Sequence, residues 1–135
     1  MKKIVVIDGQ GGKIGMQMIS ALREKKVQAN IIAVGTNSIA TANMLKSSPD
    51  GAATGENPVV VACRDADFIV GPVGIVIADS LFGEVTPKMA EAVGQSGAVR
   101  VLIPVNKCDS IVVGVRSTAL GELIEEAAQQ IASEL

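Results

Sequence analysis

Glycines cluster near the start of the chain, in the segment Asp8–Gly15, at a spacing that could serve phosphate binding. The segment follows the apolar, β-branched run Ile4–Ile7, which predicts a strand buried on both faces. It precedes apolar residues at helical spacing, so the glycines fall in a turn between a strand and a helix. In such a turn, backbone amides converge on an anion at the positive end of the helix. The predicted contacts to a phosphate-bearing ligand are Asp8, Gly9, Gln10, Gly11, Gly12, Lys13, Ile14 and Gly15.

The spacing of these glycines fits G-x-x-G-x-x-G, through Gly9, Gly12 and Gly15, better than G-x-G-x-x-G. This variant looks like the loop of extended and atypical short-chain dehydrogenases. The alternative is that the glycines only allow the helix to pack tightly against the strand. Asp8 also has two interpretations: it positions a ligand hydroxyl or, as we favour, it accepts hydrogen bonds from amides of its own loop.

The second predicted strand, Ala29–Val34, is followed by a polar turn without an acid. Dinucleotide-binding domains carry Asp or Glu at this point to hold the ribose diol. A turn without an acid tolerates a 2′-phosphate better, so NADP is favoured over NAD if the ligand is a dinucleotide. The alternative is that the turn simply caps the following helix, Ile39–Lys46. The predicted ligand contacts in this turn are Gly35, Thr36, Asn37 and Ser38.

A third polar turn, Asn106–Asp109, follows the predicted strand Val99–Val105 and reads N-K-x-D, the guanine-reading motif of GTPases. The G-x-x-x-x-G-K-[ST] motif, with which GTPases bind phosphate, does not occur in the chain. We predict that Asn106 and Lys107 contact the ligand. Recognition of guanine and a plain turn at the end of a strand are the two interpretations of this segment.

The overall composition limits the classes of function. At 135 residues, the chain has the length of one domain, predicted to span residues 1–135. Lys plus Arg number 12 against 14 Asp plus Glu, with no run of like charge, which argues against nucleic-acid binding. Hydrophobic residues make up 48% of the chain, an excess that favours burial between subunits of a homo-oligomer. Without a leader or an apolar run of about 18 residues, a cytoplasmic protein with no membrane partner is expected.

The chain has no His, Trp or Tyr, and this absence removes several chemistries. A zinc site lacks histidine, and no metal site is predicted. The Tyr-x-x-x-Lys pair of short-chain dehydrogenases cannot form, so a complete dehydrogenase is not expected and no catalytic residue is assigned. A small enzyme would have to use Asp79, Glu84, Lys107 or Cys108, and no histidine is available as a base for the Cys108 thiol. Cys63 and Cys108 are expected to be free thiols.

Predicted strands and helices alternate along the chain. Beyond those already given, strands are predicted at Ala66–Val70 and Ser110–Val115, with an edge strand around Ala52–Thr54, and helices at Lys13–Lys26, after Thr86 and after Ser117 or Thr118. Asn57 as a cap and Pro58 as the first helical residue predict a short helix through Cys63, whereas Val59–Val61 favour a strand. This alternation predicts a three-layer α/β/α sandwich with a Rossmann-like, doubly wound, mostly parallel sheet of about five strands. Because ligands bind beyond the carboxyl ends of such strands, the polar turns should meet at one edge of the sheet.

The run Gly71–Pro87 combines strong hydrophobicity with isolated polar residues. Its first part, Val73–Leu81, is ambiguous between a strand and a buried helix, and a helix or an irregular packed segment is favoured. We interpret the run as core together with a subunit interface. In the alternative interpretation, Asp79, Ser80 and Glu84 point into the ligand cleft.

Five stretches of the chain together resemble a family of small bacterial proteins classed only as a domain of unknown function. They are Asp8–Gly15, Gly35–Thr41, Ala53–Asn57, Gly71–Pro87 and Ile103–Cys108. The resemblance covers nearly the whole chain and implies a stand-alone bacterial cytoplasmic protein, with no activity or catalytic residue to transfer.

The leading hypothesis is that a nucleotide or another phosphate-bearing small molecule binds at the glycine loop. The protein would then be a sensor, a carrier, a regulatory subunit or an enzyme completed by a partner. One alternative is a small NADP-linked or nucleotide-hydrolysing enzyme. The other is a structural oligomer whose glycines only pack and which has no ligand.

Overall fold

A computed structural model of the chain describes residues 1–105, 109–116 and 119–135. Strands and helices alternate through these residues. The strands are β1 (Lys2–Asp8), β2 (Ala29–Gly35), β3 (Gly51–Thr54), β4 (Phe68–Pro72) and β5 (Val99–Ile103). The α-helices are α1 (Lys13–Glu24), α2 (Ser38–Leu45), α3 (Glu56–Cys63), α4 (Pro87–Gln95) and α5 (Leu120–Ser133), and a short 3₁₀ helix covers Val73–Val76.

The strands form one sheet in the order β3-β2-β1-β4-β5, and every pairing in it is parallel. From β1 the chain first moves outward to β2 and β3, and then returns to place β4 on the other side of β1. The strand order therefore reverses between β1 and β4, which makes this the topological switch point of the sheet. The predicted doubly wound α/β fold is confirmed.

The apolar run of β1 divides the core into two layers. Ile4 and Val6 pack on one face of the sheet with apolar residues of α1, α2 and α5. Val5 and Ile7 pack on the other face with residues of α3 and α4. All four side chains are at most 2% exposed, because successive residues of a strand point to opposite faces and both faces are covered. This packing fixes the end of β1, from which the glycine loop departs.

One predicted strand is absent, and one predicted helix begins at a different residue. The predicted strand Ser110–Val115 is absent. The predicted edge strand around Ala52–Thr54, by contrast, is present as β3. A parallel strand after β5 would need a crossover of a dozen or more residues, and residues 104–109 are too few for it. The helix predicted from Asn57 is present but begins at Glu56, after Gly55, whose φ of 107° stops the preceding strand.

Two predicted helix caps are confirmed. The Asn37 side chain accepts a hydrogen bond from the Ala40 amide at 2.9 Å, and Thr86 Oγ1 accepts one from the Met89 amide at 3.1 Å. Ser117 and Thr118, the predicted caps of the last helix, lie outside the described residues. In the described ranges, no helix combines the length and the apolar character needed to cross a bilayer.

Candidate functional site at the switch point

A cleft of about 230 Å³ lies beyond the carboxyl end of β1, at the switch point. One wall is the loop between β1 and α1, from Asp8 to Ile14. The opposite wall is apolar and consists of Leu81, Val105 and Leu120, which come from three separate parts of the chain. Ligands of doubly wound sheets bind at this position, so we take the cleft as the candidate site.

Asp8 ends β1 and anchors the inner side of the loop. Its Oδ1 accepts a hydrogen bond from the Gly9 amide at 2.8 Å, and its Oδ2 accepts one from the Gly15 amide at 2.7 Å. The residue is 3% exposed. Burial raises the pKa of this carboxyl, against the lowering effect of the amides of Gly15, Gly9 and Ile14. The favoured interpretation of Asp8 as a cap for its own loop is confirmed.

Three of the loop glycines pack closely against neighbouring residues, and Gly12 does so against backbone atoms. A Cβ on Gly12, where φ is 73°, would lie 2.6 Å from the carbonyl oxygen of Ala40 in α2. A Cβ on Gly15 would lie 2.3 Å from Met44 Sδ, and one on Gly9 would lie 2.5 Å from Thr36 Oγ1. Gly11 differs from these residues, because no atom lies within 4 Å of the position that its Cβ would take. The packing alternative therefore applies to Gly9, Gly12 and Gly15, but not to Gly11.

Glu84 holds the outer side of the same loop. Its Oε1 accepts hydrogen bonds from the Gln10 amide at 2.9 Å, from Thr36 Oγ1 at 2.7 Å and from Asn37 Nδ2 at 2.7 Å. Partial burial acts to raise the pKa of Glu84, but the three hydrogen bonds outweigh it, and the pKa is lowered. The carboxylate thus joins the β1–α1 loop to the turn that follows β2.

A compact turn between the 3₁₀ helix and α4 presents Glu84. The Asp79 amide donates to the Val85 carbonyl at 2.7 Å, and the Val85 amide donates to the Ser80 carbonyl at 3.2 Å, which closes the turn on itself. Asp79, Leu81 and Phe82 have φ values between 55° and 65°, in the left-handed region. Leu81 is 6% exposed and Phe82 is 100% exposed, so the turn buries one apolar side chain beneath the loop and leaves the next in solvent.

Two backbone amides of the loop remain free for a ligand. Within the described part of the chain, the amides of Gly11 and Lys13 make no hydrogen bond. Both residues are exposed and line the cleft. Lys13 is the first residue of α1, where the aligned peptide dipoles favour an anion, and its ammonium adds a positive charge. The two amides and the ammonium therefore lie on the same exposed part of the loop.

The structure brings most of the predicted contacts together. Gly35 packs closely, since a Cβ there would lie 2.2 Å from Thr41 Oγ1, and Thr36 and Asn37 contact Glu84. Ser38 is exposed in the first turn of α2. The remaining predicted contacts, and the cysteine beside them, lie outside the described residues; they are Asn106, Lys107 and Cys108.

Of Asp79, Ser80 and Glu84, which the alternative interpretation places in the ligand cleft, only Glu84 reaches the loop. Ser80 is buried and donates to the Gly74 carbonyl, while Asp79 is exposed. The sequence analysis missed the apolar wall of the cleft, which the three residues described above form. The sequence offered one indication of this wall, namely that Leu81, Val105 and Leu120 lie after strands or before a helix at the carboxyl edge of the sheet.

The other cysteine and the acidic residues give no second reactive centre. Cys63 is buried in α3, and burial raises the pKa of its thiol to about 11, so the unreactive thiol form predominates at neutral pH. Among the described residues, no three His, Cys, Asp or Glu side chains are grouped as metal ligands.

The fold is that of a Rossmann-like α/β protein with a cleft of about 230 Å³ at its switch point. The profile of DUF3842, a domain of unknown function, matches residues 3–135, and the chain belongs to this family. No curated protein matches the chain.

Solved structures give more distant likenesses. AibC superposes with a TM-score of 0.51 at 15% identity, over 98% of this chain and 39% of AibC, so the chain spans about two fifths of its length. A dodecameric FMN-dependent UbiX-like decarboxylase from Escherichia coli O157:H7 gives a TM-score of 0.46 at 15% identity, over 99% of this chain and 93% of the decarboxylase. At such identity the likeness to AibC concerns the fold alone.

Proposed function

We propose that the protein binds a phosphate-bearing small molecule, of the nucleotide class, in the cleft at the switch point. The observation that carries this proposal is the pair of free amides at Gly11 and Lys13, beside the N-terminus of α1 and the Lys13 ammonium. These groups match the needs of a phosphate, which accepts several hydrogen bonds and carries negative charge.

The role that fits this binding is that of a cytoplasmic sensor, carrier or regulatory subunit. Asp8 lines the cleft and Glu84 contacts its loop, but both oxygens of Asp8 and Oε1 of Glu84 accept hydrogen bonds from backbone amides or neighbouring side chains. Neither is placed as a free acid or base beside the phosphate position. A homo-oligomer is part of the same proposal, because apolar side chains such as Phe82 and Ile39 stand in solvent, at 100% and 66% exposure.

A structural role for the loop is the second candidate. Its support is the close packing of Gly9, Gly12 and Gly15, together with the two carboxylates that already bind amides of the loop. In this candidate the loop holds α1, α2 and the Glu84 turn together and has no ligand.

A thermal melt against NAD, NADP, ATP, GTP and coenzyme A separates the two candidates, with S-adenosylmethionine, which has no phosphate group, as the control. A ligand at a hundred times its dissociation constant adds roughly 2.7 kcal/mol to the stability of the folded state. For a domain of this size, the midpoint should rise by roughly 5 to 15 °C. No shift with any of the phosphate-bearing compounds favours the structural candidate.

A pair of matched variants assigns the site. Gly11→Asp places a carboxylate beside the free amides and should abolish the ligand-induced shift, while the fold remains intact because the Cβ position is open. Gly94→Asp is the control: its Cβ position is also open, but it lies in α4 near the start of β5, at the opposite edge of the sheet. A Gly11→Asp variant that still binds as tightly as the Gly94→Asp control contradicts the assignment of the loop.

A further inference from the structure

We infer that Glu84 is the residue that recognises the sugar of the bound nucleotide, by accepting hydrogen bonds from a ribose cis-diol with a free 2′-hydroxyl. This inference rests on the proposed function and gives it a ligand class: nucleotides without a 2′-phosphate. The sequence favours NADP because the turn after β2 contains no acid of its own. A carboxylate supplied by Glu84 reverses that preference.

The first argument is position. Thr36 follows directly after the last residue of β2, and its hydroxyl lies 2.7 Å from Glu84 Oε1. In dinucleotide-binding domains the acid that holds the ribose diol stands at the end of this strand. Glu84 comes from a turn more than 40 residues later in the chain and places a carboxylate at the same point of the fold.

The second argument is the orientation of the carboxylate. The three donors from Gln10, Thr36 and Asn37 all bind Oε1, and within the described residues Oε2 has no hydrogen-bond partner. In the described part of the protein, every fully buried side-chain oxygen has a hydrogen-bond partner. Because Oε2 has none, it is not fully buried and is accessible to solvent. One oxygen therefore fixes the side chain, and the other remains free to accept hydrogen bonds from hydroxyl groups.

The third argument is the path from the carboxylate to the cleft. A Cβ on Gly9 would lie 2.8 Å from Leu81 Cδ1 and 2.9 Å from Glu84 Oε1. Gly9, Gln10 and Leu81 line the cleft, and Glu84 contacts the amide of Gln10 from outside that lining. Along the loop, Gln10 faces the carboxylate, whereas Gly11 and Lys13 have the free amides. A phosphate at the latter pair leaves the attached sugar beside Glu84.

Charge gives the selectivity. Hydrogen bonds from hydroxyl groups to a carboxylate are charge-assisted and strong. A 2′-phosphate would bring about two negative charges against the carboxylate, and like charges at such a distance repel. A neutral amide would not repel a 2′-phosphate in this way, so the negative charge of the carboxylate is needed to distinguish a free 2′-hydroxyl from a 2′-phosphate.

The test compares nucleoside 5′-phosphates that differ only in the group at the 2′ position. The probes are adenosine 5′-monophosphate, 2′-deoxyadenosine 5′-monophosphate and adenosine 2′,5′-bisphosphate, together with the corresponding guanosine set, and calorimetry gives each dissociation constant. We expect the ribonucleotide with the free 2′-hydroxyl to bind about 10- to 100-fold more tightly than the other two, the range for hydrogen bonds to a charged group.

The variant for this test is Glu84→Gln. Its amide oxygen can still accept from the three donors that hold Oε1, so the fold is retained, but the negative charge is gone. The variant should discriminate less than about threefold between the three probes. Glu91→Gln, which removes an exposed carboxylate of α4, should keep the discrimination of the original chain.

The outcomes separate the two proposals. If the probes bind but the original chain discriminates no better than Glu84→Gln, or prefers the 2′-phosphate, the assignment of Glu84 is overturned and the proposed function stands. If no probe of either set binds, the assignment of Glu84 is overturned, and the thermal melt against the larger nucleotides decides the proposed function. A thermal melt of Glu84→Gln in the absence of probes serves as the check on folding.

Discussion

Asp8 and Glu84 both accept hydrogen bonds from the β1–α1 loop, one at its inner side and one at its outer side. Asp8 uses both oxygens on amides of the loop and is almost fully buried. Glu84 uses one oxygen on three donors and remains partly exposed. Burial outweighs hydrogen bonding and raises the pKa of Asp8, whereas hydrogen bonding outweighs burial and lowers the pKa of Glu84.

The comparison shows how one loop serves two purposes. On its inner side, Asp8 binds amides of the loop, and a Cβ on Gly12 or Gly15 would collide with α2. Its outer side has the free amides of Gly11 and Lys13 and the free oxygen of Glu84. Substitutions at the inner side should therefore change stability, and those at the outer side should change binding.

The largest effect is expected from Asp8→Ala. The substitution leaves the amides of Gly9 and Gly15, both in buried residues, without acceptors, and each such loss costs roughly 1 to 3 kcal/mol. We expect the free energy of unfolding to fall by about 3 kcal/mol in urea titrations. A fall below about 0.5 kcal/mol would show that the inner side of the loop is not held by Asp8.

Gly12→Ala should have a somewhat smaller effect. Its left-handed backbone costs an alanine roughly 1 kcal/mol, and the contact with the Ala40 carbonyl adds a similar amount. The expected loss is about 2 kcal/mol of unfolding free energy. Gly11→Ala is the matched control and should stay within about 0.5 kcal/mol of the original chain. Equal losses in the two variants would remove the distinction between the inner and outer sides.

Glu84→Ala should cost about 1 kcal/mol, because its three donors can turn to water when the partly exposed carboxylate is removed. Amide hydrogen exchange at Gln10 should become faster, since that amide loses its acceptor. The amides bound by Asp8 should keep their exchange rates. A loss as large as that of Asp8→Ala contradicts the view that the outer side contributes little to stability.

The smallest effect, and the one that depends most directly on the comparison, is the pH dependence. Asp8 has a raised pKa, so its contribution to stability is present below its unfolded value of about 3.8 and is lost as the pH rises through the folded pKa. Glu84 has a lowered pKa, so its contribution is present above about 4.5 and is lost as the pH falls through the folded pKa.

Urea titrations at several pH values measure these slopes. The difference in unfolding free energy between the original chain and Glu84→Gln should shrink as the pH falls below 4.5. The difference between the original chain and Asp8→Asn should change in the opposite direction, in favour of the original chain as the pH falls towards 3.8. Slopes of the same sign would show that the two carboxylates do not differ in the way described.

Much of the fold could be predicted because its signals are local. The β-branched run Ile4–Ile7, the helical spacing after Gly12 and the cap at Asn37 each depend on neighbouring residues. The segment Ser110–Val115 shows where such signals fail. Its residues suit a strand, but strand formation also needs a partner edge and a connection long enough to reach it.

For the site, the sequence by itself determined the β1–α1 loop, the polar turn after β2 and the edge of the sheet at which they meet. Tertiary structure alone decided which glycines pack, which amides stay free and that Glu84 supplies a carboxylate to a turn that has none. Contacts between residues so far apart in sequence leave no periodic pattern, because they arise only when packing of the sheet and helices brings their segments together.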